Sequence, residues 1–375
     1  MIYLDNAASS HPKPPEVIRA VTKQLRNNGA NPGRSGHEMG LAASRVVFSC
    51  RKEIANAFQT EPETVLFTSN TTDGINKAFY GLLRHGDHVL ISDLEHNSVL
   101  RPLIAMRDRG IITFDVIATG NSDEETLENF RQGLTSNPNL VFCTNASNVT
   151  GRILPVQSIG ELCRSNGILF GVDGAQTAGT LEYDLKNEPI DFVCVPGHKG
   201  LLGPQGTGAL ILAKPLEIHP VFQGGTGSDS LSEEQPKTFP EGFESGTLNT
   251  PGIAGLREGV RFAQRNLKSI RNHEKALREL FLKEISKIPF YRAVGTGDRF
   301  AGVVSLIHEN AHSEQISLWL NHCNICVRGG YHCSALAHKT LGTTGCGAVR
   351  ISFGYANSEK DVYECVKSLK KYQNY

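Results

Sequence analysis

A chain of 375 residues can bury a large core and has room for two or three domain-sized units. With 39% hydrophobic and 20% charged side chains it has an ordinary globular balance, which argues against a disordered or fibrous chain. Its 38 basic and 38 acidic residues cancel, so no net field draws in nucleic acid or an anionic membrane.

In chain order, the opening MIYLDNAASS lacks a charged stretch followed by an apolar one, so no secretory signal is expected. No apolar run approaches the roughly 18 residues of a membrane span. The nine cysteines then read as reduced thiols, and a cytoplasmic location is expected. From about residue 60 to 215, β-rich apolar runs alternate with helical patterns. The runs are 65–69, 88–93, 112–118, 140–146, 168–175, 192–197 and 208–213. Being short and continuously apolar, they predict strands covered on both faces. The intervening PVQSIGELCRSNG puts Val156, Ile159, Leu162 and Cys163 on one helix face, with Gly167 as a stop. The alternation predicts an α/β fold: a mainly parallel sheet with helices on both sides and a ligand beyond the strands' carboxyl ends.

Residues 222–252 are rich in Gly, Ser, Pro and Thr and too long for a simple connector, which predicts a functional loop. Helical spacing resumes in HEKALRELFLKEISKI. Strand-like VVSLI, ICVRG and AVRISF follow, then a last helix, the pattern of a smaller α+β domain. The expected division is a large domain over 15–250 and a small one from 1–14 plus 251–375. Cys323 and Cys326 form a CxxC with no second pair at zinc-like spacing, so packing is expected and no metal.

Chemistry gathers at the strand ends. Lys199 closes an apolar strand between glycines, where desolvation lowers an amine's pKa and suits it to a Schiff base; an ion pair with a loop carboxylate is the alternative. Asp173, ending another buried strand, suits a pyridinium nitrogen, and Gln176 a ring hydroxyl; a cap on the following turn is the plainer role for a lone Asp. Thr71 and Thr72 open a helix after a strand, a natural phosphate seat, although an N-terminus without ligand looks the same. His96 follows a third strand and suits ring stacking and proton movement, and Asn148 follows a fourth. Together these five strand ends supply what a pyridoxal 5′-phosphate (PLP) site requires.

The order YLDNAA, TTDGIN, EH, SNVTG, VDGAQ and GHKGLLGPQG resembles the class V aminotransferase family of fold-type I PLP enzymes. VRGGYHCSALAHKTLG resembles the active-cysteine segment of the cysteine desulfurase and selenocysteine lyase subgroup with a short loop. The resemblance spans essentially the whole chain. It implies that Lys199 binds PLP covalently, His198 contacts the phosphate, His96 stacks on the ring, Asp173 pairs with its nitrogen and Gln176 with its hydroxyl oxygen. Thr72, with Thr71 nearby, would hold the phosphate, and Thr247 would reach it from the partner subunit of a homodimer. Asn148 and Arg350 would hold the substrate carboxylate. Cys333 would be the nucleophile, with Arg328 in its loop. Many members carry Ser or Thr at the position of Pro196, which offers neither hydroxyl nor N–H.

The implied reaction takes L-cysteine to L-alanine and leaves the sulfur on Cys333 as a persulfide for a sulfur-acceptor protein. Lys199 would move the α-proton. Arg328, His332 and His338 would favour the Cys333 thiolate, and Gly329 and Gly330 would make the loop mobile. A class V aminotransferase on another amino acid, or a lyase acting on L-selenocysteine, would use nearly the same site. A non-catalytic sulfur-carrier scaffold leaves Lys199 and Asp173 unexplained.

Overall fold

The computed structural model describes residues 1–33, 36–228 and 231–372; Asp229 and Ser230 of the expected long loop lie outside them. The first part of the chain runs β1 (Ile2–Tyr3), α1 (Pro15–Asn27), α2 (Glu38–Phe58), β2 (Val65–Thr68), α3 (Thr71–Leu82), β3 (Asp87–Ser92), α4 (Asn97–Asp108) and β4 (Ile112–Ile117). It continues with α5 (Asp123–Gly133), β5 (Leu140–Thr144), α6 (Val156–Ser165), β6 (Leu169–Asp173), β7 (Phe192–Pro196) and β8 (Gly208–Leu212). Then come α7 (Thr250–Ile285), β9 (Tyr291–Ala293), β10 (Val303–His308), α8 (Ser313–His322), β11 (Ile325–Cys326), β12 (Arg328–Gly330), α9 (Ala335–Thr340), β13 (Ala348–Ser352) and α10 (Glu359–Tyr372).

Seven strands form the main sheet in the order β2-β8-β7-β6-β5-β3-β4. Only β8 runs against its neighbours, so β2 and β3 to β7 all point one way. This is the expected α/β architecture of a fold-type I PLP enzyme. Every residue of β2, β5, β7 and β8 is buried, as a sheet covered on both faces requires. The last strand in the row departs from the expectation. β4 is an edge strand whose Thr113, Asp115 and Val116 are exposed, so its apolar run is covered on one side only.

A second difference lies in α7. The apolar period of HEKALRELFLKEISKI predicts a helix there, but the helix begins at Thr250, 36 residues long. Asn249 starts it by accepting the Gly252 N–H (3.0 Å), with Pro251 in the first turn. Leu256 and Val260 on its first half join the core under the main sheet. Leu277, Phe281 and Ile285 on its second half join a separate core with Leu4, Val304, Leu320 and Ile351. One helix thus serves two cores. The second is roofed by a four-stranded sheet, β12-β13-β10-β9, beside a short parallel pair of β1 and β11. No helix among the described residues is long and apolar enough to cross a membrane.

An ion pair seals the open edge of the main sheet at β2. Arg51 on α2 donates to the Val65 carbonyl and pairs in bidentate fashion with Glu244 (2.9 and 2.7 Å). Glu244 also accepts the Phe67 N–H (2.6 Å), so the pair stands in for a missing strand and pins the loop before α7. Both side chains are buried. Glu244→Gln leaves the guanidinium buried without its counter-charge and is expected to cost about 3–5 kcal/mol. The urea midpoint of purified protein reads this directly.

Candidate active site

The carboxyl ends of β2, β3, β5, β6 and β7 face the smaller sheet across a cavity of ≈ 730 Å³. Thr71, Thr72, His96, Asn148, Asp173, Gln176, His198, Lys199, Arg328, Cys333 and Arg350 all line it. Pro196 lines it too, without a hydrogen to give. Thr247 does not; it is exposed, in the turn before α7.

Lys199 sits in a turn after β7 that the N-terminal segment holds down. The His198 carbonyl accepts from Ser10 N (3.0 Å), Ser10 Oγ (3.1 Å) and Lys13 Nζ (2.8 Å), and the Lys199 carbonyl from Ser10 Oγ (2.9 Å). Burial pushes the Lys199 amine down to about 8; Asp173 opposes this, while Arg350 and Arg328 add to it. Covalent capture of PLP needs the neutral amine, so its rate should rise with pH to about 8 and then level off. Asp173→Asn should move the bend lower, because it removes the charge that holds the proton on. Stopped-flow absorbance after mixing PLP with the cofactor-free chain gives both profiles.

Asp173 is almost wholly buried, and desolvation raises its pKa. Its Oδ1 accepts the Ala175 N–H (2.8 Å), so it both caps the turn and keeps one oxygen for the cavity. Gln176 donates one proton to the Ala7 carbonyl (3.1 Å) and has a second to give.

The phosphate seat is a helix start. Asn70 caps α3 by accepting the Asp73 N–H (3.0 Å), and Thr71 and Thr72 form the first turn. Asp73, a poor neighbour for phosphate, is occupied by the Ser69 N–H (2.8 Å) and Lys77 (3.5 Å). Thr71 Oγ1 and His198 Nδ1 are buried with no hydrogen-bond partner among the described residues. Burial holds His198 down to about 4, so it is neutral. A phosphate at the N-terminus of α3 would take both orphaned groups, and Asp173 and Lys199 suit the ring it belongs to. The residues fit PLP.

His96 begins α4, and its Nδ1 accepts the Ser98 N–H (3.0 Å). Burial, with Lys199 and Arg350 nearby, lowers it to about 4, so the ring is neutral.

On the far wall stands Arg350, fully buried on β13. It pairs with Asp5 (2.7 Å) and donates to the Asn148 carbonyl (3.2 Å), while its Nε has no partner among the described residues. The pairing with Asp5 gives the YLDNAA motif a local purpose that its sequence does not state.

The cysteine segment differs most from expectation. Gly329 and Gly330 belong to β12, hydrogen-bonded to β13, and are not a hinge. A Cβ on Gly329 would come within 2.6 Å of the Ser317 side chain and 2.7 Å of the Ser313 carbonyl, so close packing requires the glycine. The following loop is held fast. Asn148 Nδ2 donates to the His332 carbonyl (2.9 Å) and its Oδ1 accepts from Ser334 Oγ (2.7 Å). Asn97 N donates to the Cys333 carbonyl (2.8 Å). These bonds hold His332 and Cys333 in left-handed backbone, φ 50° and 55°, at roughly 1–2 kcal/mol each. Cys333 is thereby exposed at the cavity wall. His332 and His338 are not cations beside it. Both are buried and driven neutral by desolvation, with ring nitrogens bonded to the Ala348 carbonyl (3.0 Å) and Thr343 Oγ1 (2.7 Å). Positive charge near the thiol comes from Arg350, and Arg328 lines the same cavity.

Asn148, expected to hold a carboxylate, spends both ends of its amide on this loop and keeps one N–H. Asp5, Ser10, Lys13, Ser98 and Ser334 join the site without a sequence signal beyond lying in or beside quoted motifs. Cys323 packs on the smaller core and Cys326 pairs β11 with β1. Among the described residues no group of three His, Cys, Asp or Glu side chains could hold a metal.

Comparison with known proteins agrees with this geometry. The family model for aminotransferase class-V matches residues 2–364. A protein of Methanothermobacter thermautotrophicus described as a probable cysteine desulfurase is 33% identical over 372 residues, covering 96% of this chain and 92% of its own. One of Pyrococcus abyssi with the same description is 32% identical, covering 100% and 96%. The solved structure of an apo cysteine desulfurase from Thermococcus onnurineus is 29% identical with TM-score 0.91, covering 99% of this chain and 94% of that one.

Proposed function

Because the chain belongs to the class-V aminotransferase family, we propose that it is a PLP-dependent cysteine desulfurase in which Cys333 receives the sulfur. The observation that carries the reading is an exposed cysteine latched in left-handed backbone at the wall of a cavity that also holds Lys199, Asp173 and Arg350.

PLP, when bound, supplies the electron sink that stabilises negative charge at the substrate Cα. Thr71, Thr72 and His198 would hold its phosphate, Asp173 its ring nitrogen, Gln176 its hydroxyl oxygen and His96 its face. Arg350, helped by Arg328 and the spare Asn148 N–H, binds the carboxylate of L-cysteine. Lys199, with its lowered proton affinity, takes the proton from Cα. The Cys333 thiolate then attacks the substrate sulfur. The S–S bond forms as the Cβ–S bond breaks; the electron pair of that bond, with a proton, makes the methyl group, and Lys199 returns its proton to Cα to complete alanine. The sum is L-cysteine plus a thiol giving L-alanine plus a persulfide, with no outside oxidant.

The persulfide then passes to a sulfur-acceptor protein; the exposure of Cys333 supports such a transfer. A homodimer is supported by apolar side chains exposed on α1 and α2 (Ile18, Leu25, Met39, Leu41 and Phe48) and on the long loop (Phe222). Thr247, exposed in that loop, would then serve the partner's phosphate seat. Nine free thiols suit a reducing cytoplasm.

The test is product analysis from L-cysteine with a reductant. Equal alanine and sulfide support desulfuration. A keto acid with no sulfide would replace it by transamination.

A further inference from the structure

Ser98 lies in the first turn of α4, buried and against the cavity. Its hydroxyl is 2.8 Å from His96 Nδ1 and 2.6 Å from Thr72 Oγ1, while its own N–H donates to the same Nδ1 at 3.0 Å. Deepening the cofactor reading on which it rests, we propose that Ser98 is a positioning residue, a hydrogen-bond relay coupling phosphate occupancy at Thr72 to the proton on His96 Nδ1.

The case is one of counting protons. Two hydroxyls contribute two protons to the row Thr72–Ser98–His96. With no anion on Thr72, the row runs one way: Thr72 donates to Ser98, and Ser98 donates to Nδ1. Nδ1 is then an acceptor, and His96 carries its proton on Nε2. A phosphate oxygen reverses the row, because an anion needs Thr72 to donate outward. Ser98 then donates to Thr72 and turns a lone pair toward Nδ1. At 2.8 Å two lone pairs repel, which favours a proton on Nδ1. The Ser98 N–H on the same Nδ1 opposes it, so phosphate shifts the tautomer balance toward Nδ1–H rather than fixing it. In the rings that switch, Nε2 gives up its proton to solvent and its lone pair is freed as an acceptor, with no change in the ring's charge. Linkage makes the coupling reciprocal: what protonates Nδ1 also favours phosphate on Thr72.

The charged groups facing His96 are Lys199, Arg350, Arg101 and Arg328, all cationic. A bound phosphate attracts a proton to the ring through space whether or not Ser98 is present. The informative quantity is therefore the tautomer of the neutral ring, which a net field does not select in this way.

The experiment is 15N NMR of His96 in the full chain loaded with PLP or with pyridoxal, the same ring without phosphate, well above the imidazole's pKa. Wild type is expected to carry a larger Nδ1–H fraction with PLP than with pyridoxal. Ser98→Ala keeps the backbone N–H on Nδ1 and should be Nε2–H with both. Ser98→Thr, which restores the hydroxyl, should switch as wild type does. The same tautomer ratio in both wild-type forms, or the wild-type shift in Ser98→Ala, overturns the relay. If Ser98→Ala does not fold, the wild-type pair decides alone. Absence of cofactor absorbance in PLP-loaded wild type removes the cofactor reading and the relay with it, whereas absorbance with an unmoved tautomer removes only the relay.

Discussion

Cys333→Ala is expected to abolish sulfide and alanine formation from L-cysteine while leaving the cofactor absorbance and the α-proton chemistry intact. The loop's fixed points are the Asn148–Ser334 bond, the Asn148 bond to the His332 carbonyl and the Asn97 bond to the Cys333 carbonyl. None involves the thiol, so its removal should not move the wall it stands on. The cavity floor of Lys199 and Asp173 is contributed by other elements. The discriminating assay is exchange of the Cα hydrogen of L-alanine in D₂O. Alanine has no sulfur to transfer, so exchange reports binding and proton removal alone. Cys333→Ala should exchange at the wild-type rate. A parallel loss of exchange would mean that the cysteine supports the site rather than acting on sulfur.

Lys199→Ala should give the complementary result. Exchange falls by ~10²–10⁴-fold, the usual worth of a positioned acid or base, and desulfuration falls with it. PLP should still bind through the Thr71, Thr72 and His198 groups, but without covalent attachment, so gel filtration strips it more readily. The turn should survive, since Ser10 and Lys13 hold the backbone of residues 198 and 199 rather than the side chain. The pair separates the two halves of the reaction: one variant keeps carbon chemistry and loses sulfur chemistry, the other loses both.

Much of the site is legible in the order of residues along the chain. Strand ends carry the chemistry in an α/β sheet, and short apolar runs mark those ends, which singles out Thr71, His96, Asn148, Asp173 and Lys199. What stays hidden depends on contacts distant in sequence. The Asp5–Arg350 pair joins the two ends of the chain. β8 runs antiparallel between β2 and β7, which no local pattern encodes. β4 reads as covered on both faces because its exposure follows from a place at the edge. The glycines before Cys333 read as a hinge because glycine serves freedom, close packing and left-handed backbone alike; only the Ser313 and Ser317 contacts of Gly329 and the positive φ of Gly330 (106°) show which. His332 and His338 read as cations because their burial arises from tertiary packing. Asn249 and Pro251 form a helix-start signal for α7 that is hidden inside a segment whose composition reads as loop.

The central claim is that Cys333 takes the sulfur. It is tested most directly by mixing the PLP-loaded enzyme with one equivalent of L-cysteine, without reductant, and weighing the peptide that contains Cys333 by mass spectrometry. The account predicts one added sulfur atom on that peptide, removed by a thiol, with alanine in equal amount. Alanine formed with that peptide unmodified, or the sulfur found on a different cysteine, would contradict it.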